Sequence, residues 1–354
     1  MKTFKTLLYF FLPIFVSCEK YESPKENYQK SNGVFIVCEG NYSYSTSTLS
    51  FFDPANSSVE NDIFEKTNGI PMGDVAQSMI VIDSIGYIVI NNSQKIIVVN
   101  TNTFKQITTI SGFTSPRYIQ LINNEKAYVT DLYSNDIRII NPKTYKIIGT
   151  INVNKTTEQL VKNDNYVFVT NWSGEHTIQR INCVTDLTDG ELEVTRQPNS
   201  IVLDKNNKLW VLSDGGFQGD KDKQIPTLTK IDVNSFSIEK VLNFPSIEYS
   251  PSRLTINATK DTIYFLSGGW EKSTVTNNGV YKMSVSENAI PVQPFINQKN
   301  KLFYALGIDP KSNQIYVSDA LDYKQSGVIY HFTANAMPID TFKAGVIPAY
   351  FCFK

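Results

Sequence analysis

The chain has 354 residues, with 33 Lys and Arg against 34 Asp and Glu, a formal net charge of −1. Charged residues make up 19% and hydrophobic residues 41%, against roughly 25% charged in an ordinary soluble domain. This balance excludes a disordered chain and a strongly basic nucleic-acid binder, and leaves either two or three domains or one large all-β domain.

At the N-terminus, Lys2 and Lys5 precede and flank an apolar run over 7–16 that Pro13 interrupts. A bilayer-spanning helix needs about 20 apolar residues, so this run reads as a signal-peptide core and not as an anchor. It ends in Phe-Val-Ser-Cys at 15–18, which resembles a bacterial lipobox with Phe15 where Leu is usual. The resemblance implies a signal peptide over 1–17 and a diacylated Cys18. A polar tether over 18–32 then leads to one folded domain over 33–354. Glu19 and Glu22 beside Cys18 resemble the surface-export signals of Bacteroidota lipoproteins. They imply an outer-membrane protein, held to the membrane by its N-terminal lipid and facing the cell exterior. With Cys18 set aside, Cys38, Cys183 and Cys352 are odd in number and widely spaced within strand-like runs. They read as buried thiols rather than as a disulfide framework.

From residue 33 onward the chain repeats. Phe-Ile-Val-Cys-Glu at 35–39 is followed by Tyr-Ile-Val-Ile-Asn at 87–91, Ala-Tyr-Val-Thr-Asp at 127–131 and Val-Phe-Val-Thr-Asn at 167–171. Leu-Trp-Val-Leu-Ser at 209–213, Ile-Tyr-Phe-Leu-Ser at 263–267 and Ile-Tyr-Val-Ser-Asp at 315–319 complete the series. Each unit offers four short strands, in the third unit at 116–122, 126–131, 136–142 and 145–153. β-Branched and aromatic residues fill them, and Asn-Asn, Ser-Asn and Asn-Pro mark the turns. No stretch sustains a 3.6-residue apolar period long enough for a secure helix. Seven such units predict an all-β fold, a seven-bladed β-propeller. The first unit starts with its second strand at Gly33, and residues 347–353 align with the first strand at 115–121. The C-terminal strand is therefore expected to complete blade one, a closure that removes two exposed strand edges.

The Tyr-Val-Thr-Asp and Phe-Val-Thr-Asn segments resemble the YVTN-type propeller repeats of bacterial exported proteins. Together with the lipobox and the opening Gly-Val-Phe-Ile-Val-Cys-Glu-Gly-Asn at 33–41, the chain resembles the surface propeller lipoproteins of Bacteroidota. Those proteins capture cobalamin for a TonB-dependent outer-membrane transporter. The resemblance implies a corrinoid ligand and a transporter partner; composition argues against nucleic acid, and the lack of catalytic and metal-ligand motifs argues against catalysis and against a cofactor or metal of its own.

In a propeller the loops joining strand two to strand three share a face with the start of each first strand. Aligning the first strands on Arg117 gives a ring of Gln77, Arg117, Gln159, Asn199, Arg253, Ala305 and Ala349. These polar side chains either bond one another or form a recessed floor for amides, a phosphate or a carboxylate, since Arg offers forked donors. Three of the strand two-to-three loops are long, at 214–224, 268–279 and 320–327, and insertions on a repeat scaffold gather on its binding face. Phe217, Trp270 and Tyr323 lie on these loops, and Tyr42, Tyr44, Tyr133 and Trp172 on others. Some of them are expected to pack between blades, Trp172 first. The rest suit a broad ligand, because aromatics combine large contact area with low entropy cost. Cobalamin fits such a face: Asn and Gln side chains would pair with its amides, while Arg117 or Arg253 met its phosphate.

Two other classes compete. A glycan-binding accessory lipoprotein would use the same aromatics to stack on sugars. A calcium-dependent lactonase-like propeller would use Glu39, Asn91, Asp131, Asn171 and Asp319, oxygen ligands at repeated positions. These end second strands, one strand out from the channel, and are expected to cap turns instead. His176 and His331 lie in unrelated blades without metal-ligand spacing. No Asp-x-His-x-x-Gly pattern, Gly-x-Ser-x-Gly elbow or Gly-rich phosphate loop is present.

Overall fold

A computed structural model describes residues 32–44, 46–268 and 278–354. The predicted signal peptide, the Cys18 expected to carry lipid, nearly all of the tether, and Trp270 lie outside the described residues.

Seven antiparallel four-stranded sheets follow one another round a ring. Their innermost strands are Ala76–Ile82 in blade 2, Pro116–Asn123 in blade 3 and Leu160–Asn163 in blade 4. Pro198–Leu203, Pro251–Ile256 and Phe303–Ile308 serve blades 5, 6 and 7. Blade 1 takes its innermost strand, Pro348–Phe353, from the C-terminus and pairs it with Val34–Cys38, Thr48–Asp53 and Ser58–Glu60. The all-β, seven-bladed propeller closed by the C-terminal strand is thus the observed architecture.

The second strands explain why the blades pack. Their residues are apolar on both faces, and a period of two hands alternate side chains to opposite neighbours. Phe35 and Val37 join a cluster with Met79, Ile88 and Ile90 of blade 2. Val34, Ile36 and Cys38 between them turn the other way, toward Tyr316 and Ile329 of blade 7. Tyr87 and Val89 meet Ala127 and Val129 of blade 3, and Tyr128 packs with Val167 and Val169 of blade 4. At the rim the fourth strand of blade 4, Leu187–Glu193, alternates exposed and half-buried residues, as an outer edge should. Cys38, Cys183 and Cys352 are buried free thiols as expected, and burial pushes the thiols of Cys38 and Cys352 up to about 12.

Closure is tight at the seam between blades 7 and 1. A Cβ added to Gly307 would stand 2.7 Å from the Cβ of Phe351, so only glycine lets the C-terminal strand seat at this distance. The chain ends are tied as well. Lys354 N donates to Gly33 O at 3.0 Å, and Glu39 N to Ile347 O at 2.9 Å.

One short element departs from the all-β expectation. Residues Ile63–Asn68 form a helix after the fourth strand of blade 1, burying Ile63 and Phe64 in the seam with blade 2. Six residues are too few to show a helical period, and tertiary packing rather than propensity holds them.

His331 is a core residue of blade 7. Its ring stacks on Tyr316 with centroids 4.1 Å apart. Its nitrogens lie 3.0 Å from Asp340 Oδ1 and 3.0 Å from Gln314 Oε1. His176 is exposed, 3.9 Å from Glu193.

Candidate functional site

The ring at the channel mouth is built from the first turn of each innermost strand. Arg117 donates to Glu158 through Nε and Nη2, both bonds 2.7 Å, and through Nη1 to Gln77 Oε1 at 2.6 Å. Gln77 Nε2 in turn donates to the Tyr118 hydroxyl oxygen at 3.2 Å. Gln159 Oε1 accepts Ile201 N–H at 3.2 Å, and Asn199 Nδ2 donates to Pro251 O at 2.9 Å. Arg253 Nε donates to Tyr304 O at 3.1 Å, and the Tyr304 hydroxyl to Glu39 Oε2 at 2.9 Å. Ser47 Oγ donates to Gly73 O at 2.6 Å. On this face every seam between blades carries a hydrogen bond.

Two expectations are corrected by this geometry. Arg117 was a candidate for a ligand phosphate, but its guanidinium is already engaged on three nitrogens by Glu158 and Gln77. It holds blades 2, 3 and 4 together. Glu39 was expected to cap a turn like its counterparts, of which Asp131, Asn171 and Asp319 act locally while Asn91 reaches across the seam to Ser115 and Pro116 of blade 3. Asp131 accepts the backbone N–H groups of Thr114, Ser115 and Tyr133, and Asp319 those of Leu302 and Leu321. Asn91 and Asn171 bond Pro116 O and Thr156 O. Glu39 instead turns to the channel, where burial pushes its carboxyl above the usual range. Arg253, the Tyr304 hydroxyl and Arg117 oppose that shift. The five oxygen ligands required by the calcium reading are therefore spent separately around the ring. No group of three or more His, Cys, Asp or Glu is placed to hold a metal ion among the described residues.

Arg253 differs from the other ring members. It alone among the seven ring positions has a left-handed backbone, φ 58°, where its strand loses register with the next between Ser252 and Thr255. A bulge of this kind re-aims a side chain, and a bulky residue held at positive φ carries a strain of about 1–3 kcal/mol. Its only hydrogen bond among the described residues is the one to Tyr304 O, and its guanidinium carbon lies 5.3 Å from the Tyr304 ring centroid. The Ala305 and Ala349 positions beside it contribute no polar groups.

Above the ring, the aromatics divide. Tyr42, Tyr44, Tyr133 and Phe217 are 69%, 77%, 71% and 54% exposed, all on strand two-to-three loops and so on one face. Trp172 is half-buried. It meets Phe217 edge-on with centroids 6.0 Å apart, and its indole N–H donates to Asp214 Oδ2 at 3.3 Å. Tyr323 is half-buried against Tyr304, centroids 5.9 Å apart, and its carbonyl accepts Asn41 Nδ2 at 2.6 Å.

Asp214 is a site residue that sequence reasoning did not single out. It also accepts Asn199 Nδ2 at 3.2 Å and Gly216 N–H at 3.0 Å. Burial pushes its carboxyl up to about 6, against the pull of those bonds and of Lys223. It ties the base of the 214–226 loop to blade 4 and to the ring. The signal was present in the sequence only as the first polar residue of a long insertion.

A family model described as a domain of unknown function (DUF5074) matches residues 32–346. Among solved structures, a quinonprotein alcohol dehydrogenase-like protein from Bacteroides thetaiotaomicron is 16% identical, with a TM-score of 0.68 over 91% of this chain and 78% of that one. A protein from Lactobacillus plantarum is 10% identical, with a TM-score of 0.66 over 91% and 98%. The hydrazine synthase of Kuenenia stuttgartiensis is 11% identical, with a TM-score of 0.61 over 78% and 89%. At these identities the likeness is one of fold. No curated protein matches the sequence. No helix of the described residues is long and apolar enough to cross a membrane.

Proposed function

We propose, for a chain that belongs to the DUF5074 family and folds as a seven-bladed propeller, that it is a ligand-capturing lipoprotein of the outer-membrane surface. Its ligand is a corrinoid such as cobalamin, which it hands to a TonB-dependent transporter. The carrying observation is the rim: four aromatics more than half exposed stand on one face around an amide-lined channel mouth. Such residues lose little entropy on contact and present flat, amphipathic area to a broad ligand. The lipobox-like segment at 15–18 supports display on a membrane.

In this reading the corrin lies across the loop face, its edge amides near Asn41 and Asn199, its macrocycle against Tyr133 and the Trp172–Phe217 pair. The protein grips the ligand's periphery and leaves its chemistry unchanged. The polar groups of the mouth bond one another and Arg117 is neutralised by Glu158, an arrangement that suits binding better than proton transfer.

A spectral titration of the purified chain with cyanocobalamin tests the reading, because corrin absorbance reports contact directly. Saturable binding at or below micromolar concentration, not competed by oligosaccharides, is the expected result. Absence of corrin binding together with binding of a glycan would transfer the same aromatic rim to a sugar ligand.

A further inference from the structure

Below the ring the channel opens into a cavity of about 400 Å³, lined by the innermost strands of blades 1 and 3–7. It falls within the roughly 300–1,000 Å³ of small-molecule sites. Its upper wall carries Arg253, Tyr118, Tyr350 and Gln159. Its lower wall is largely apolar, with Val202, Leu306, Ile308 and Phe353. The exposed rim lies outside it, and so do Glu39, Glu158 and Arg117.

Three donors converge at its upper end. The terminal guanidinium nitrogens of Arg253 make no hydrogen bond among the described residues, since only Nε is used, to Tyr304 O. Tyr118 accepts from Gln77 at its hydroxyl oxygen, which leaves its own O–H to donate. The Tyr350 hydroxyl makes no hydrogen bond among the described residues, and its ring stands 6.2 Å from that of Tyr118. Burial favours the neutral, donating form of Tyr350. No carboxylate lines the cavity; Glu39, outside the lining, acts on the Arg253 charge. A cationic fork and two hydroxyls above an apolar floor, with the cation held there by a strained backbone, make a preorganised anion site.

The geometry points to a second ligand site in this channel cavity, one that takes a small amphipathic anion. Its carboxylate or phosphate-ester head bonds Arg253, Tyr118 and Tyr350, and its apolar body rests against Val202, Leu306 and Phe353. The site goes beyond the rim reading and stands whether or not the rim holds a corrin.

The test is calorimetric and NMR titration of the full chain with benzoate, with phenyl phosphate, and with benzamide as the uncharged match. Benzoate or phenyl phosphate is expected to bind at least about tenfold tighter than benzamide, and the better of the two identifies the head group. Arg253→Gln should erase the advantage over benzamide. Tyr350→Phe, which removes one hydroxyl and little packing, should weaken the anion about threefold to tenfold. Each variant is checked by thermal melt, and Tyr350→Phe carries the test if Arg253→Gln fails to fold. Equal binding of benzamide, anion binding unchanged in both folded variants, or no binding of either anion at millimolar concentration would overturn the proposal. A cyanocobalamin titration on the same preparations separates failure of this site from failure of the rim.

Discussion

Arg117 and Glu158 face each other across the seam between blades 3 and 4 as a two-bond ion pair, both bonds 2.7 Å, with side chains 14% and 6% exposed. Their positions in the sequence are 41 residues apart, one repeat, and each belongs to the first strand region of its own blade. The pair turns what looked like a ligand-facing cation into a rivet of the ring. Removing one partner of a buried pair leaves an uncompensated charge, which costs about 3–5 kcal/mol. Glu158→Ala is therefore expected to lower the denaturation midpoint sharply, and Arg117→Met combined with Glu158→Met to restore most of the loss. Urea unfolding of the three proteins measures this.

Closure by the C-terminal strand gives a second expectation. Gly307→Val places side-chain atoms where Phe351 now packs, 2.7 Å from the built Cβ, and overpacking of this kind costs about 1–3 kcal/mol. Deleting residues 348–354 removes the whole strand and leaves the Val34–Cys38 edge unpaired. The point variant should melt at lower temperature but remain monomeric. The truncated chain should self-associate, as size-exclusion chromatography would show.

Asp214 and His331 should give pH dependences of opposite sign. An unfolded aspartate titrates near 3.8, whereas the folded Asp214 holds its proton up to about 6. Between those values the folded state binds more protons, so stability falls as pH rises through the window and is level above it. Asp214→Asn should abolish this component of the urea midpoint. Because the Trp172 indole N–H bonds this carboxylate, tryptophan fluorescence should show a transition near pH 6 that the variant lacks.

Burial lowers His331 below the ordinary histidine value of 6.5, with Asp340 opposing. Here the unfolded chain binds the extra proton. Stability is present above pH 6.5 and is lost as pH falls through the lowered folded value. His331→Gln should flatten that acid limb while lowering stability at neutral pH, since the stack on Tyr316 is weakened. Thermal melts from pH 4 to pH 8 resolve the two effects.

The fold was legible because each blade restates one pattern. Two-faced apolar runs such as Tyr166–Asn171 have to be central strands, and their recurrence seven times implies a ring. The alignment of 347–353 with 115–121 carries its closure in the sequence. What could not be read was which ring residues meet. Gln77, Arg117, Gln159 and Asn199 share one repeat position at the channel mouth. Glu158, next to Gln159 in the chain, pairs with a residue one repeat away, and no local spacing encodes that contact. Glu39 occupies the same repeat position as Asp131, yet it reaches the channel, where Tyr304 of blade 7 meets it. Repeat position fixes backbone; the neighbouring blade decides where the side chain goes. The helix at Ile63–Asn68 escaped for a simpler reason: it spans less than two turns.

The most direct measurement of the central claim is a cyanocobalamin titration of the chain beside a Tyr133→Ala, Phe217→Ala double variant. Both residues are exposed and removable without opening the core. The account predicts saturable corrin binding by the native chain, weakened at least about tenfold in the variant, as loss of aromatic anchors from a binding surface commonly is. Corrin binding of equal strength in the two proteins, or none in either at micromolar concentration, would contradict it.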